Sequence, residues 1–534
     1  MQRPISIFIL FLLFVLSDIS LAQRVQVDIT LDPLYGTSGR TEVNLGGFSN
    51  EAMVFEITRD SRVTTVFSRV STAAAGAYKV GAVRVDSNGT LDPRFGIDGT
   101  GLYSWGESDY PLGLIRHSNV DSMYVISGAT GIGANTKPAL YRFKKDGTPD
   151  STFGADGKLI TQFDDLSGGE AVSVSTSGTH YTAVGKSLAA DPNGKTGFGV
   201  LSVNWDGSPD TSLSELGYKS RFVLPALVHS VQGMLLNNQR IFMCGISDTG
   251  KRELLIARFT EKRVPDSAVG INGLIHTGII LKGDTIWAAL QGDNKVVLLL
   301  PTGPENPTHL TIRRYNEFGI PDSTYGINGE GNNDIQPNFT PKGFFLSSDF
   351  SEIVSGITPS AAGNSIYVRI SDTTSVPDPT FNGNGVISID VDGGTFPNYL
   401  KFVQPIGKLD QFGNIKRFIG VGGSIHNGVE HVMIARFIGH PSNGVEENTS
   451  EKLSLKIYPD PVSKQFRVVA GNPELKNVRI VDVLGREVCR LRLESTSDNS
   501  ASFSGDGSAM PNGTYFVVAS DAGKIVLQRF VVSH

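Results

Sequence analysis

Cysteine is nearly absent from this 534-residue chain: Cys244 and Cys489 stand alone and far apart. A disulfide framework needs paired cysteines at closer intervals, so stability has to come from burial. Charge is also sparse, at 19% of residues, and 47 basic against 53 acidic side chains leave a net of −6. With no cationic excess to neutralise phosphates, general nucleic-acid binding is excluded. Apart from one stretch near the N-terminus there is no long apolar run, so no transmembrane span is expected in the mature chain. The nine histidines form no H-E-x-x-H or H-x-H pair, and neither a G-x-S-x-G elbow nor a phosphate-cradling loop occurs. No catalytic residue and no metal ligand is nominated on these grounds.

Glycine is what the chain has in excess, 61 residues of 534. Together with the low charge this favours tight turns and β structure over long solvated helices. The N-terminus reads as a secretory signal over 1–22: Arg3, an apolar run from Ile5 to Leu16, and the small-residue end Ser20-Leu21-Ala22 before Gln23. Such a run rises ~18 Å as a helix, short of a ~30 Å hydrocarbon core. Gln23 stands where a lipoprotein would need cysteine.

A motif recurs through the middle of the chain. It reads LDPLYGTSG from Leu31, LDPRFGIDG from Leu91, PDSTFGADG from Pro149, PDTSLSELG from Pro209, PDSAVGING from Pro265, PDSTYGING from Pro321 and PDPTFNGNG from Pro377. Its aspartates are Asp32, Asp92, Asp150, Asp210, Asp266, Asp322 and Asp378, spaced 60, 58, 60, 56, 56 and 56 residues apart. The final glycine holds in all seven copies: Gly39, Gly99, Gly157, Gly217, Gly273, Gly329 and Gly385. Between motifs lie short β-branched segments, as in Thr41 to Leu45, Ala52 to Thr58, Arg62 to Val70 and Tyr78 to Val85, giving four strands per unit.

One four-stranded sheet cannot bury both its faces, so the units must pack against each other. The expected fold of residues 23–437 is a closed, all-β, seven-bladed β-propeller of four-stranded repeats, with residues 23–30 adding a strand near the seam. An open β-solenoid is the alternative. The pattern seen in full as KKDGTPDSTFGADG from Lys144 resembles the delta-60 repeat family of bacterial secreted proteins. That resemblance implies a propeller-like extracellular protein and carries no catalytic residues with it.

After a linker at 438–453, residues 454–534 read as a small antiparallel β-sandwich. Strands are expected at Phe466 to Val469, Val478 to Val483, Val488 to Leu493, Gly513 to Val518 and Ile525 to Val532. The segment resembles the type A C-terminal sorting domain of the type IX secretion system of Bacteroidetes. The matching residues are Tyr458, Pro459, Asp460 and Pro461, the turn at Gly485, and Gly513 with Tyr515. The resemblance implies the type IX machinery as partner, a secreted, extracellular or outer-membrane-surface location, and in some members attachment to surface glycolipid.

The seven motif aspartates are expected to accept N–H bonds within their own turns, next to glycines that supply positive φ. Coordination of Ca²⁺ is the competing reading of the same carboxylates, and no other cofactor is expected. Trp105, Trp205 and Trp287 suit either core packing or stacking on sugar rings. Two function classes remain open. One is a non-catalytic binding or adhesion module for a glycan or protein ligand; the other is a secreted polysaccharide hydrolase or lyase using carboxylates from different blades.

Overall fold

The structure, a computed structural model, describes residues 27–441 and 455–534 except 59–62, 72–76, 106–107, 118–122, 164–167, 178–179, 189–195, 213–218, 224–226, 249, 306–307, 332–338, 347–350, 361–362, 379–383, 390–397, 407–416, 459–461, 471–476, 483–485, 498–499 and 522–523. The expected signal at 1–22, the sorting-motif residues Pro459, Asp460, Pro461 and Gly485, and the motif glycine Gly217 lie outside the described residues.

The chain divides into two compact units, residues 1–440 and 441–534. The first is a seven-bladed β-propeller. Blade 1 is built from Ser49–Ile57, Val63–Ser71, Tyr78–Asp86 and Thr100–Tyr103. Blade 2 holds Asp109–His117, Met123–Thr130, Lys137–Phe143 and Lys158–Ile160, and blade 3 holds Gly168–Ser177, His180–Leu188, Thr196–Asn204 and Lys219–Val223. Blade 4 consists of Leu227–Leu235, Ile241–Asp248, Arg252–Phe259 and Leu274–Ile280. Blade 5 has Trp287–Leu290, Val296–Glu305 and Thr308–Tyr315, with a bridge from Arg313 to Glu330 at its outer edge. Blade 6 has Thr340–Leu346, Glu352–Ser360, Gly363–Ser371 and Val386–Ile389.

Blade 7 combines both ends of the propeller. Asn398–Pro405, Arg417–His426 and Val429–Pro441 receive Arg40–Val43 as their outer strand, with Thr41 opposite Ile434 and Val43 opposite Val432. The strand Val27–Leu31 also pairs with Val429–Pro441. This shifts the sequence units by one strand. The segment after each motif, expected to open a unit, is the outer strand of the blade before it, because the motif is the corner between a blade's third and fourth strands. The third strand of blade 7 also continues to Pro441, past the linker start expected at 438.

Among the described residues seven hydrophobic cores lie between the blades, and each mixes residues of two neighbours. Val54, Phe67 and Val80 of blade 1 meet Tyr124, Ile126 and Tyr141 of blade 2. The ring is sealed by the core in which Ile419, Val421, Val432 and Ile434 of blade 7 meet Ala52, Val66 and Val83 of blade 1. Middle strands are therefore buried on both faces, as in Ile241–Asp248, where all but the last residue is buried. Each fully buried aliphatic or Phe side chain contributes roughly 1.5–3 kcal/mol, which is how a chain without disulfides is held.

The C-terminal unit is an antiparallel β-sandwich. One sheet is ordered Leu455–Tyr458, Gln465–Ala470, Ser500–Asp506, Arg492–Ser497, and the other Glu487–Arg490, Asn477–Asp482, Gly513–Asp521, Lys524–Val532. Phe466, Val468, Ile480, Phe503, Val517 and Phe530 fill the space between them. The single strand expected from Val488 to Leu493 is two strands in different sheets. Buried Leu491 sits at the crossing, and its N–H donates to Val478 O.

Candidate functional site

The recurrent motif builds a corner with a fixed bonding plan. In the six copies whose turn is described, Oδ1 of the aspartate accepts an N–H from two residues on: Leu34 to Asp32, Arg94 to Asp92, Thr152 to Asp150, Ser212 to Asp210, Ala268 to Asp266 and Thr324 to Asp322, all at 3.0–3.1 Å. The aspartate N–H donates to the third strand of the blade, as from Asp92 to Arg84 O and from Asp378 to Ile370 O. The final glycine returns the bond through its carbonyl, as Gly99 does to Arg84 N and Gly385 to Ile370 N. At Gly99 φ is +89°, and a Cβ would lie 2.7 Å from that of Leu91, so an L side chain is excluded twice over.

Sequence reasoning did not register the arginine that faces five of the seven corners; Ser202 in blade 3 and Ile370 in blade 6 hold the equivalent position. Arg84 meets Asp92 at 2.8 Å, Arg142 meets Asp150 at 2.6 Å, Arg258 meets Asp266 at 3.0 Å, Arg314 meets Asp322 at 2.8 Å and Arg436 meets Asp32 at 2.8 Å. The same guanidinium covers an aromatic ring, as Arg142 does Phe153 at 4.7 Å and Arg436 does Tyr35 at 4.8 Å. It also donates to a turn carbonyl of the next blade: Arg258 to Glu317 O at 3.2 Å, Arg314 to Thr373 O at 3.3 Å, and Arg436 to Ser87 O. Each arginine thus joins its own corner to the neighbouring blade. Burial raises the pKa of Asp322, but the hydrogen bonds of Thr324 and the charges of Arg314 and Lys295 outweigh it and hold the carboxyl at about 2.

Blade 3 departs from the plan. Ser202 occupies the arginine position, and the missing guanidinium comes from Arg263 in the turn of blade 4. Its Nη2 donates to Thr182 Oγ1 at 3.0 Å, its Nε lies 3.4 Å from Ser202 Oγ, and the side chain is 2% exposed. Arg263 has φ of 64°, at a turn position where blades 1, 2 and 5 carry Gly89, Gly147 and Gly319. Blade 4 shows the parallel case: Val269 replaces the corner aromatic, and Phe318 from the next blade supplies the ring beneath Arg258, 4.5 Å away.

The opposite end of the ring is chemically different. First strands of neighbouring blades lie side by side, and their opening residues form a mouth. Lys401 Nζ is 3.0 Å from Glu51 Oε1, and Arg69 bonds the other Glu51 oxygen. The Arg69 guanidinium lies 4.9 Å from the centre of the Tyr78 ring, which packs edge-on against Tyr110 at 5.6 Å. Tyr110 donates to Glu170 at 2.9 Å, Tyr399 donates to Glu430, and Lys342 lies over the Tyr399 ring at 5.2 Å. Burial raises Glu51, but Lys401 and Arg69 lower it further, so its carboxyl is held ionised. Burial, reinforced by Glu170 and Glu430, pushes the Tyr110 and Tyr399 hydroxyls well up. This end of the ring therefore gathers paired charges, aromatic rings and neutral phenols, half-buried apart from the buried Tyr399.

The three tryptophans pack against inter-blade cores: Trp105 beside Tyr103 and Phe143, Trp205 near Phe153, and Trp287 near Leu299. Among the described residues, Glu42, His426 and His431 form a group of ligand atoms close enough to share one ion. The spacing of the histidines hides it, since they flank a hairpin and Glu42 lies 384 positions from His426. In the C-terminal unit Tyr458 is 56% exposed, whereas Tyr515 is buried, donates to Pro511 O at 2.9 Å and lies 5.9 Å from Phe530. Gly513 stands opposite Val532.

Residues 456–533 match the secretion system C-terminal sorting domain, and residues 121–153 match the domain of unknown function (DUF5122) beta-propeller. The chain is a propeller with a type IX sorting tail. That tail directs export by the type IX secretion system to the cell surface or the extracellular space. No curated protein matches the chain. Solved structures similar to the sorted propeller include a protein of unknown function from Dyadobacter fermentans DSM 18053, 9% identical over 77% of this chain and 100% of the other, with a TM-score of 0.42. A PL25 ulvan lyase bound to -[GlcA(1-4)Rha3S]- is 9% identical over 74% of this chain and 96% of the other, TM-score 0.39. An acylaminoacyl peptidase of Pyrococcus horikoshii is 10% identical over 80% and 58%, TM-score 0.37. Among the described residues no helix is long and apolar enough to cross a membrane.

Proposed function

We propose that the propeller is a non-catalytic binding or adhesion module, displayed or released by type IX export, whose ligand surface is the mouth at the starts of the first strands. The observation that carries this reading is the cluster of Arg69, Tyr78, Tyr110 and Lys401 around Glu51. Aromatic faces beside fixed cations suit the apolar faces and acidic groups of a glycan. Glu51 is tied to two cations and held ionised, and the phenols of Tyr110 and Tyr399 resist ionisation.

Export in this reading begins with removal of residues 1–22 and ends with the sorting domain, with surface glycolipid as one destination. The function is tested on a glycan array, with release of soluble sugar assayed on the same panel. Binding that Arg69→Ala and Tyr78→Ala each weaken, without turnover, is the expected result. Turnover of any bound polysaccharide would replace this reading with the hydrolase or lyase one.

A further inference from the structure

We propose that Glu42, His426 and His431 form a binding site for a divalent transition-metal ion, of which Zn²⁺ is the best-matched probe, and that the bound ion clamps the closing strand to blade 7. The three ligand atoms lie within 4.8 Å of one another. Glu42 Oε2 is 2.6 Å from His426 Nε2, and the two imidazole rings are 4.8 Å apart at 32°. Donors around a tetrahedral zinc ion sit about 3.3 Å apart, so Glu42 and His426, at 2.6 Å, must open by about 0.7 Å while the wider separations, up to 4.8 Å, close by at most about 1.5 Å. All three side chains are half-buried, which leaves them room to do so.

The pleat explains why they converge. Ser424 stands opposite His431, and His426 shares the face of Ser424 two residues on. Glu42 stands opposite Met433, which shares the face of His431 two residues on. All three side chains therefore project from one face of three adjacent strands. Arg40 Nε holds Glu42 Oε1 at 2.6 Å, fixing the carboxylate with Oε2 toward the imidazoles in the manner of an outer-shell partner. Two imidazoles and one carboxylate suit zinc, copper or nickel rather than calcium or magnesium, which take oxygen ligands. Three protein ligands leave a fourth position for water.

The test is calorimetric titration of the chelator-stripped full chain with Zn²⁺, alongside visible absorption after loading with Co²⁺. Wild type is expected to bind one equivalent, to show the cobalt ligand-field bands and to melt at higher temperature with Zn²⁺ than with EDTA. Glu42→Gln and His431→Gln are each expected to weaken binding by about tenfold or more and to lose the metal-dependent rise in Tm, each variant being compared with and without Zn²⁺. Failure of wild type to saturate, or affinity unchanged in both variants, overturns the proposal. Glycan binding is read separately, so the metal site stands or falls independently of the mouth.

Discussion

Arg436 and Asp32 stand 404 positions apart, yet they meet at 2.8 Å in the same arrangement that joins Arg84 to Asp92 across 8 positions. The first motif of the chain thus completes the last blade. The remaining bonds agree: Asp32 N–H donates to Arg436 O, Arg436 N–H donates to Gly39 O, and the guanidinium reaches Ser87 O in blade 1.

Breaking this pair should cost what breaking an interior corner costs. Both partners are largely buried, so Arg436→Met and Arg84→Met are each expected to lower the unfolding free energy by about 3 kcal/mol. Urea denaturation followed by tryptophan fluorescence measures both. A near-zero cost for Arg436→Met beside a full cost for Arg84→Met would show that the seam pair adds nothing.

The exchange in blade 3 is testable by restoring the common pattern. Arg263→Gly relieves a left-handed backbone by about 1 kcal/mol but leaves Asp210 and His180 without their buried cation, for a net loss of about 2 kcal/mol. Adding Ser202→Arg should recover most of that loss. Additive destabilisation in the double variant would break the argument.

Acid should loosen the corners first. Asp92, Asp150 and Asp322 have folded pKa values below the ordinary 3.8, with Asp322 at about 2. A depressed carboxyl stabilises the fold above its unfolded pKa and loses that contribution as pH falls toward the folded one. Urea midpoints are therefore expected to drop between pH 3.8 and about 2, and Asp322→Asn to flatten part of that fall. A midpoint constant over this window would contradict the assignment.

Glu352 acts in the opposite direction. Burial raises its carboxyl from the ordinary 4.5 to about 7, despite hydrogen bonds from Tyr325 and Ser375 and the charge of Arg369. A raised acid favours folding while it is protonated, so its contribution falls as pH climbs from 4.5 to about 7. Glu352→Gln should remove that slope from a stability profile and leave the acid limb intact. A profile with the same slope in both proteins would rule this out.

Legibility followed the range of the interaction. The corners were readable because Asp92 and Gly99 lie within one turn and recur with the period. The strands were readable because double-sided burial leaves runs such as IFMCGIS at Ile241. The one-strand offset between unit and blade was not, since period alone does not say on which side of a corner a sheet begins. Arg263, Phe318 and the group of Glu42, His426 and His431 act across blades, and nothing local distinguishes them. The mouth was hidden for the same reason: Arg69 and Tyr78 are ordinary strand residues until the ring brings Lys401 and Tyr110 beside them.

Because Arg40–Val43 finishes a sheet whose other members end at Pro441, the ring stays an open arc until translation has reached the stretch just ahead of the tail. Trimming the strand Arg40–Val43 from the front and trimming Val429–Pro441 from the back are therefore injuries to one blade. Circular completeness, rather than any local stretch of sequence, is what a proteolysis experiment on nascent fragments would report.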